Sequence, residues 1–380
     1  METRTLASLP DAGGKLLSLI KKDIVFTASA VLAIASCFIA APKIEYIDFK
    51  VLACLFNIMI IVKAFEKLHL LEKVSVSILN SCSGSRMVSL VLILLSFFSS
   101  MIFTNDVALL TLVPLSIVIG RKSDLDIMPI VIMQTLAANI GSSLTPMGNP
   151  QNLYLFSTYD LHALQFFTTV GAFAVTGLIW LLFLNRKNPE TRLEISLDPV
   201  KIADKRLAIF WGVIFLVIVM SVFGIVDYKI AFLLTAVSAL IVDRRLLLKA
   251  DYPLLLTFIC FFIFIGNVSH IPAVNSIMKG LLSSGSSAYF SSILLSQVIS
   301  NVPSAILLSG FTSYWRELLL GVNVGGMGTI IASLASVISY KLYIGEKPEN
   351  SGKYMLKFSI YNFVSLALFT ALNYILLRLF

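Results

Sequence analysis

The sequence predicts an all-α polytopic membrane protein built from two inverted-topology repeats, each with a re-entrant helical hairpin and a broken transmembrane helix. Three observations predict it. First, the 380 residues are 58% hydrophobic and only 13% charged, with a mean hydropathy of +0.91, whereas about a quarter of a soluble domain is charged. Second, Asn105 in IFTNDVALLTLVPL and Asn301 in VISNVPSAILLSGF interrupt very apolar runs, and each is followed by another asparagine that opens a glycine-rich break, Asn139 and Asn323. Polar, helix-breaking backbone at membrane depth survives only where protein or a watery cavity surrounds it, and two such breaks at corresponding places point to a transporter's binding site. Third, if each hairpin enters and leaves on one side, all but six of the 29 basic residues face the side that holds the amino terminus. That asymmetry is the positive-inside signature of a cytoplasmic amino terminus.

The elements follow in order. Residues 1–23 lack the apolar core and cleavage site of a secretory signal and read as a cytoplasmic tail. About ten apolar segments follow, several, such as 24–41, 207–226 and 358–377, long enough to cross a ~30 Å hydrocarbon core. The stretch 63–86 alternates charged and apolar residues and is expected to lie along the inner interface. A repeat is visible without gaps: Asp48 with its apolar run to Leu68 matches Asp251 with its run to Ile271, 203 residues later. Repeat one is expected over 24–184 and a polar cytoplasmic linker over 185–206. Repeat two, over 207–380, gains one leading span so that it starts on the opposite face.

Several function classes are excluded. The basic excess is a topology signal, so no nucleic-acid partner is expected, and the partners are the bilayer and a small solute. Cys37, Cys54, Cys82 and Cys260 form no CxxC pair, and His69, His162 and His270 show no metal-ligand spacing. No protease, hydrolase or Walker motif is present, so neither an enzyme nor ATP drive is expected. No arginine lies deep in a span, so a bound anion would rest on helix ends, hydroxyls, amides and a co-bound cation.

The candidate solute and ion ligands cluster at the tips and breaks. At the first tip, Thr104, Asn105 and Asp106 end one helical arm and open the next. Exposed N–H groups at a helix start suit an anion, and the carbonyls released at the end of the preceding arm suit Na⁺. Asp106 is the one acid expected deep in the membrane, where a carboxylate is costly and usually functional. Burial favours its protonated form and a bound cation its ionised form, so it suits either Na⁺ or H⁺ coupling. The competing idea is that Asn105 and Asp106 merely cap a helix. The second tip, Ser300 and Asn301, has Val302 where the first has Asp106, so carboxylate chemistry is one-sided. The breaks contribute Asn139, Gly141, Ser142, Ser143, Thr145 and Asn149 in the first repeat, and Asn323, Gly325, Gly326, Thr329 and Ser333 in the second. Glycines let unwound backbone approach an ion, while close helix packing is the plainer alternative. Asn105, Asp106 and Gly141 are the candidate Na⁺ ligands, and no other cofactor is expected.

Thr104-Asn105-Asp106, Ile140-Gly141-Ser142…Thr145…Gly148-Asn149-Pro150-Gln151-Asn152 and Gly325…Thr329…Ser333-Leu334-Ala335-Ser336 resemble motifs of the ion transporter superfamily. That group includes divalent anion:sodium symporters, arsenite permeases, NhaD-type antiporters and citrate transporter-like proteins. The resemblance runs from about residue 24 to 378. It implies an inverted-repeat helical fold with two re-entrant hairpins, often a homodimer, with ion coupling at the tips and substrate between them. The expected function is secondary transport of a carboxylate or inorganic oxyanion across the cell membrane, coupled to Na⁺ or H⁺. The alternative is a Na⁺/H⁺ antiporter that carries no anion.

Overall fold

Asp48 and Asp251, which open the two matching stretches, each cap a helix at the same position: Asp48 accepts from the Val51 N–H at 3.0 Å and Asp251 from the Leu254 N–H at 3.1 Å. The computed structural model in which this is seen describes residues 24–123, 125–193 and 196–379; the expected tail 1–23 lies outside them. The first half of the chain runs α1 (Ile24–Cys37), α2 (Phe49–Lys67), α3 (Leu70–Leu79), α4 (Ser85–Phe103), α5 (Asn105–Ser123), α6 (Met128–Ser142), α7 (Pro150–Thr158) and α8 (Ala163–Asn185). The second half begins with α9 (Lys205–Val222), followed by α10 (Tyr228–Asp243), a single turn α11 (Arg245–Leu248), α12 (Tyr252–Val268), α13 (Pro272–Leu281) and α14 (Gly285–Ile299). It ends with α15 (Asn301–Ser309), α16 (Trp315–Gly325), α17 (Leu334–Glu346) and α18 (Ser351–Leu379). Among the described residues every regular element is helical, and a lone bridge between Gly84 and Arg192 is all the β pairing there is.

Among the described residues, four helices are long and apolar enough to cross a bilayer unaided: α4, α8, α9 and the stretch that ends in α18. The chain is thus an integral, multi-pass membrane protein. The remaining apolar helices are either shorter, broken by capping acids, prolines and glycines, or carry charges near their ends, as Lys63, Glu66 and Lys67 do in α2 and Asp106, Arg121 and Lys122 in α5. Proline stands in the first turn of α6, α7, α12 and α13, where its missing N–H costs nothing. The interfacial helix expected over 63–86 is shorter: Lys63 and Lys67 belong to the last turns of α2, and left-handed His69 (φ 58°) starts α3. Its counterpart α13, bent 105° from α12 and with no buried residue, was not expected. The segment between α8 and α9 is docked rather than slack. Asn80 exchanges two 2.9 Å hydrogen bonds with the Leu197 backbone, and Leu193 and Leu197 are buried.

Helix order recurs between the halves, and so does packing. Within each half the first hairpin arm lies on the first part of the broken helix, α4 on α6 and α14 on α16. Between halves the partners exchange: α1 packs on α12 and α10 on α2, while α5 packs on α17 and α15 on α7. The Lys67–Asp243 ion pair (2.6 Å) also joins the halves, and hydrogen bonding from Lys67 holds the Asp243 carboxyl below its ordinary range.

Glycine makes the α4–α6 contact possible. A Cβ on Gly141 would collide with the Phe97 carbonyl oxygen, and one on Gly325 would lie 2.8 Å from the Ser296 Cβ. Gly141→Ala is therefore expected to destabilise the purified protein by about 1–3 kcal/mol, the usual cost of overpacking. A melting temperature equal to wild type would show that these helices have slack.

Candidate functional site

One residue separates the two arms at each tip, Thr104 between α4 and α5 and Ser300 between α14 and α15. Both adopt nearly the same conformation, φ 69° and ψ 153° for Thr104 and φ 78° and ψ 157° for Ser300. That region is all but reserved for glycine, costs of order 1–3 kcal/mol per residue, and persists only where surroundings enforce it. The enforcement is visible. Thr145 donates to the Met101 carbonyl at 2.7 Å, and Thr329 donates to the Gln297 carbonyl at 2.9 Å. Each threonine lies six residues past its break asparagine and grips the arm four residues before the tip asparagine. The Asn105 N–H donates to the Gly148 carbonyl at 3.1 Å, and the Ser300 hydroxyl to the Ala332 carbonyl at 3.3 Å. Each tip is clamped to the break of its own half.

The two breaks are then tied to each other by amides. Asn139 accepts from Asn105 Nδ2 at 3.2 Å and from Ser333 Oγ at 2.9 Å, and donates to the Gly326 carbonyl at 3.4 Å. Reciprocally, Asn149 donates to Asn323 Oδ1 at 3.3 Å, and Asn323 donates to Asn152 Oδ1 at 2.7 Å. Asn149 and Ser333 hold the same place in the two halves, just before α7 and α17, so each crosses to the other half's asparagine. All of these side chains are buried. Asn301 is buried as well and faces Gly326, where a Cβ would stand 2.9 Å from its Nδ2.

The unwound carbonyls are stitched by two carboxamides. Asn152 Nδ2 reaches the carbonyls of Ser142, Ser143 and Thr145 at 3.0–3.4 Å. Gln297 Nε2 reaches those of Gly325 and Met327 at 2.8 and 3.0 Å, and its Oε1 accepts the Thr329 N–H at 2.9 Å. Neither residue was among the sequence candidates. Asn152 stood inside the GNPQN run, and Gln297 lies one helical turn before Asn301, the spacing that puts two side chains on one face.

A cavity of about 180 Å³ opens beside the first tip. Thr104, Asp106, Asn149 and Pro150 line it together with Lys63, Lys249 and Asp251. Its remaining walls are aliphatic and come largely from α2, α5 and α17. Asp106 Oδ1 is buried and accepts no hydrogen bond, an expensive condition for a carboxylate oxygen unless a cation, proton or water serves it. Of the sequence candidates, Thr104, Asp106 and Asn149 face this cavity. Asn105, Asn139, Ser142, Asn323, Gly326 and Ser333 form the amide network behind it, while Ser143, Thr145 and Thr329 hold backbone. Gly141 and Gly325 sit in helix contacts, and Ser300 and Asn301 do not reach the cavity. Among the described residues no group of three His, Cys, Asp or Glu side chains converges. The donors here are amides, hydroxyls and the carboxylates of Asp106 and Asp251, a hard-oxygen set suited to an alkali cation or a proton.

A family described as citrate transporter matches residues 15–312, most of the chain. The chain belongs to the citrate transporter family. Members of this citrate transporter family are membrane transporters rather than enzymes, and so is this protein. It is similar to the protein named Uncharacterized transporter MJ0456 of Methanocaldococcus jannaschii, 35% identical over 305 residues that cover 79% of this chain and 82% of that one. It is also similar to Inner membrane protein YbiR of Escherichia coli, 28% identical over 340 residues, 87% of this chain and 88% of that one. A shorter match, 27% over 132 residues, is to Putative transporter arsB of Dictyostelium discoideum and covers 35% of this chain.

Proposed function

We propose that this transporter is a secondary carrier of an anion, a carboxylate or inorganic oxyanion, driven by Na⁺ or H⁺ through Asp106. The observation that carries the reading is the unpartnered Asp106 carboxylate in a cavity shared with helix starts and amides. A cation at Asp106 neutralises the floor, and the N–H groups at the starts of α5 and α7 then attract the anion. The reciprocal exchange of packing partners supports an inverted relation between the halves, and the distribution of basic residues supports a cytoplasmic amino terminus. On that orientation Lys63, Lys249 and Asp251 mark a cytoplasmic mouth, and transport moves the hairpins and broken helices as a body against α1, α2, α10 and α12. The bilayer in question is then the cell membrane.

A second reading, Na⁺/H⁺ exchange without an anion, is favoured by one feature: the buried Asp106 Oδ1 accepts no hydrogen bond, which leaves it open to a sodium ion or a proton in turn. Purified protein in sodium-loaded liposomes separates the two. Accumulation of labelled citrate, succinate, sulfate or arsenite supports anion transport, whereas a sodium-driven change in lumenal pH with no anion uptake supports exchange. Asn301 lies outside the cavity but packs on Gly326 in the second break, so Asn301→Ala is expected to weaken binding of the transported anion indirectly, about tenfold, through a buried amide worth roughly 1–1.5 kcal/mol. Unchanged affinity in a thermal-shift titration would make the second tip purely structural.

A further inference from the structure

The cavity beside the first tip has a counterpart by repeat symmetry, and that counterpart is packed with aromatic rings. The matching stretches lie 203 residues apart, so Leu55 and Met59 of α2, which line the cavity, correspond to Phe258 and Phe262 of α12. The broken helices lie 184 apart, so Ile338 of α17, another lining residue, corresponds to Tyr154 of α7. Tyr154, Phe258 and Phe262 are all buried and meet as a triad, with ring centroids 6.1 Å apart for Tyr154–Phe258, 5.8 Å for Tyr154–Phe262 and 6.0 Å for Phe258–Phe262. Aliphatic walls around space at one end are thus replaced by large rings in mutual contact at the other.

The mouths differ in the same sense. Lys63 and Lys249, both at the cavity, correspond to Gly266 and Tyr46. Two ammonium groups repel and hold water, so they resist dry closure. Gly266 instead receives the Tyr46 ring, which lies where a side chain would begin. Hydrogen bonds fasten the packed end: Tyr154 Oη to Ser309 Oγ at 2.7 Å and Tyr159 Oη to the Thr312 carbonyl at 2.8 Å, joining α7 to the end of α15.

We propose that the Tyr154–Phe258–Phe262 triad is the closed second entrance to the site, through which the same solute passes when the first cavity is shut. This rests on the transport reading above. The rings belong to opposite sides of the proposed movement, Tyr154 to the broken helix and the phenylalanines to α12, so sliding one against the other opens the path. Asp48, the repeat counterpart of Asp251, then stands at the outer mouth.

Repeat-swapped side chains test it in the full-length protein with its four cysteines changed to alanine. One reporter is Leu110→Cys, a cavity-lining position of α5, and the other is Val302→Cys, the counterpart of Asp106. A membrane-impermeant thiosulfonate is applied to each face of sealed vesicles. Leu110→Cys is expected to react from one face and Val302→Cys, slowly, from the other. Phe258→Leu with Phe262→Met gives the packed end the composition of the open one and is expected to speed Val302→Cys labelling about tenfold by shifting the population. The opposite swap, Leu55→Phe with Met59→Phe, is expected to slow Leu110→Cys labelling by a similar factor, so the idea remains testable should the first pair not fold. Unchanged rates in both swaps, with Leu110→Cys still labelled, overturn the aromatic entrance alone. Failure of both reporters to react from either face overturns the transport reading beneath it.

Discussion

Asp106→Asn is expected to lower cation-driven transport ~100-fold while leaving the melting temperature within a few degrees of wild type. The two effects separate because of where the side chain sits. Its Oδ1 accepts no hydrogen bond within the protein, so the amide forfeits no partner on folding. The stability at risk is the interaction of a carboxylate with the start of α5, about 0.3–1 kcal/mol. A cation or proton serving that carboxylate is another matter, since a charge-assisted contact contributes ~1.5–3 kcal/mol, or ~10- to 150-fold in binding. Asparagine keeps the shape and removes the charge. Flux measured under a sodium gradient and under a pH gradient checks the claim. In a symporter the variant retains slow, gradient-independent anion exchange, whereas in an antiporter all flux disappears. Wild-type cation dependence would remove Asp106 from the mechanism.

Legibility in the sequence divides along a physical line. The breaks were readable because asparagine, glycine and proline announce themselves in an apolar run, and the same order of tip asparagine then break asparagine occurs twice, 34 residues apart in the first half and 22 in the second. The matching acidic starts Asp48 and Asp251 were readable in the same way, and both cap a helix. Thr104 and Ser300 were visible as tip residues, yet not as strained ones, because neither is glycine and the bonds that hold them there, the threonine clamps from Thr145 and Thr329 among them, are tertiary. Gln297 was missed because a glutamine inside an apolar helix looks like a tolerated polar residue until its carbonyl partners, 28 and 30 residues away, come to rest beside it. The side chains that cross between halves, Asn149 to Asn323 and Ser333 to Asn139, join residues 174 and 194 apart. No local rule carries such information. The cavity's bias toward the first tip had the same origin: it depends on whether aliphatic or aromatic residues fill equivalent places, which periodicity does not distinguish.

Asn323→Ala is expected to cost about 2–4 kcal/mol of stability. Its Nδ2 serves Asn152 Oδ1 and the Leu319 carbonyl, and its Oδ1 receives Asn149. Truncation leaves Asn152 Oδ1 buried without that donor and Asn149 Nδ2 with only Ser142 Oγ at 3.2 Å, and each unmet buried group costs ~1–3 kcal/mol. Because Asn152 also stitches the first break, the damage should spread from the second half to the first. A double-mutant cycle with Asn149→Ala measures that spread: the paired variant is expected to fall short of the sum by ~0.5–3 kcal/mol, as for residues sharing one network. The same coupling makes the two breaks move as one body, since separating them exposes both asparagines to unmet bonds together. Additive melting shifts would mean that each half carries its own break independently, and the hairpins would then be free to move one at a time.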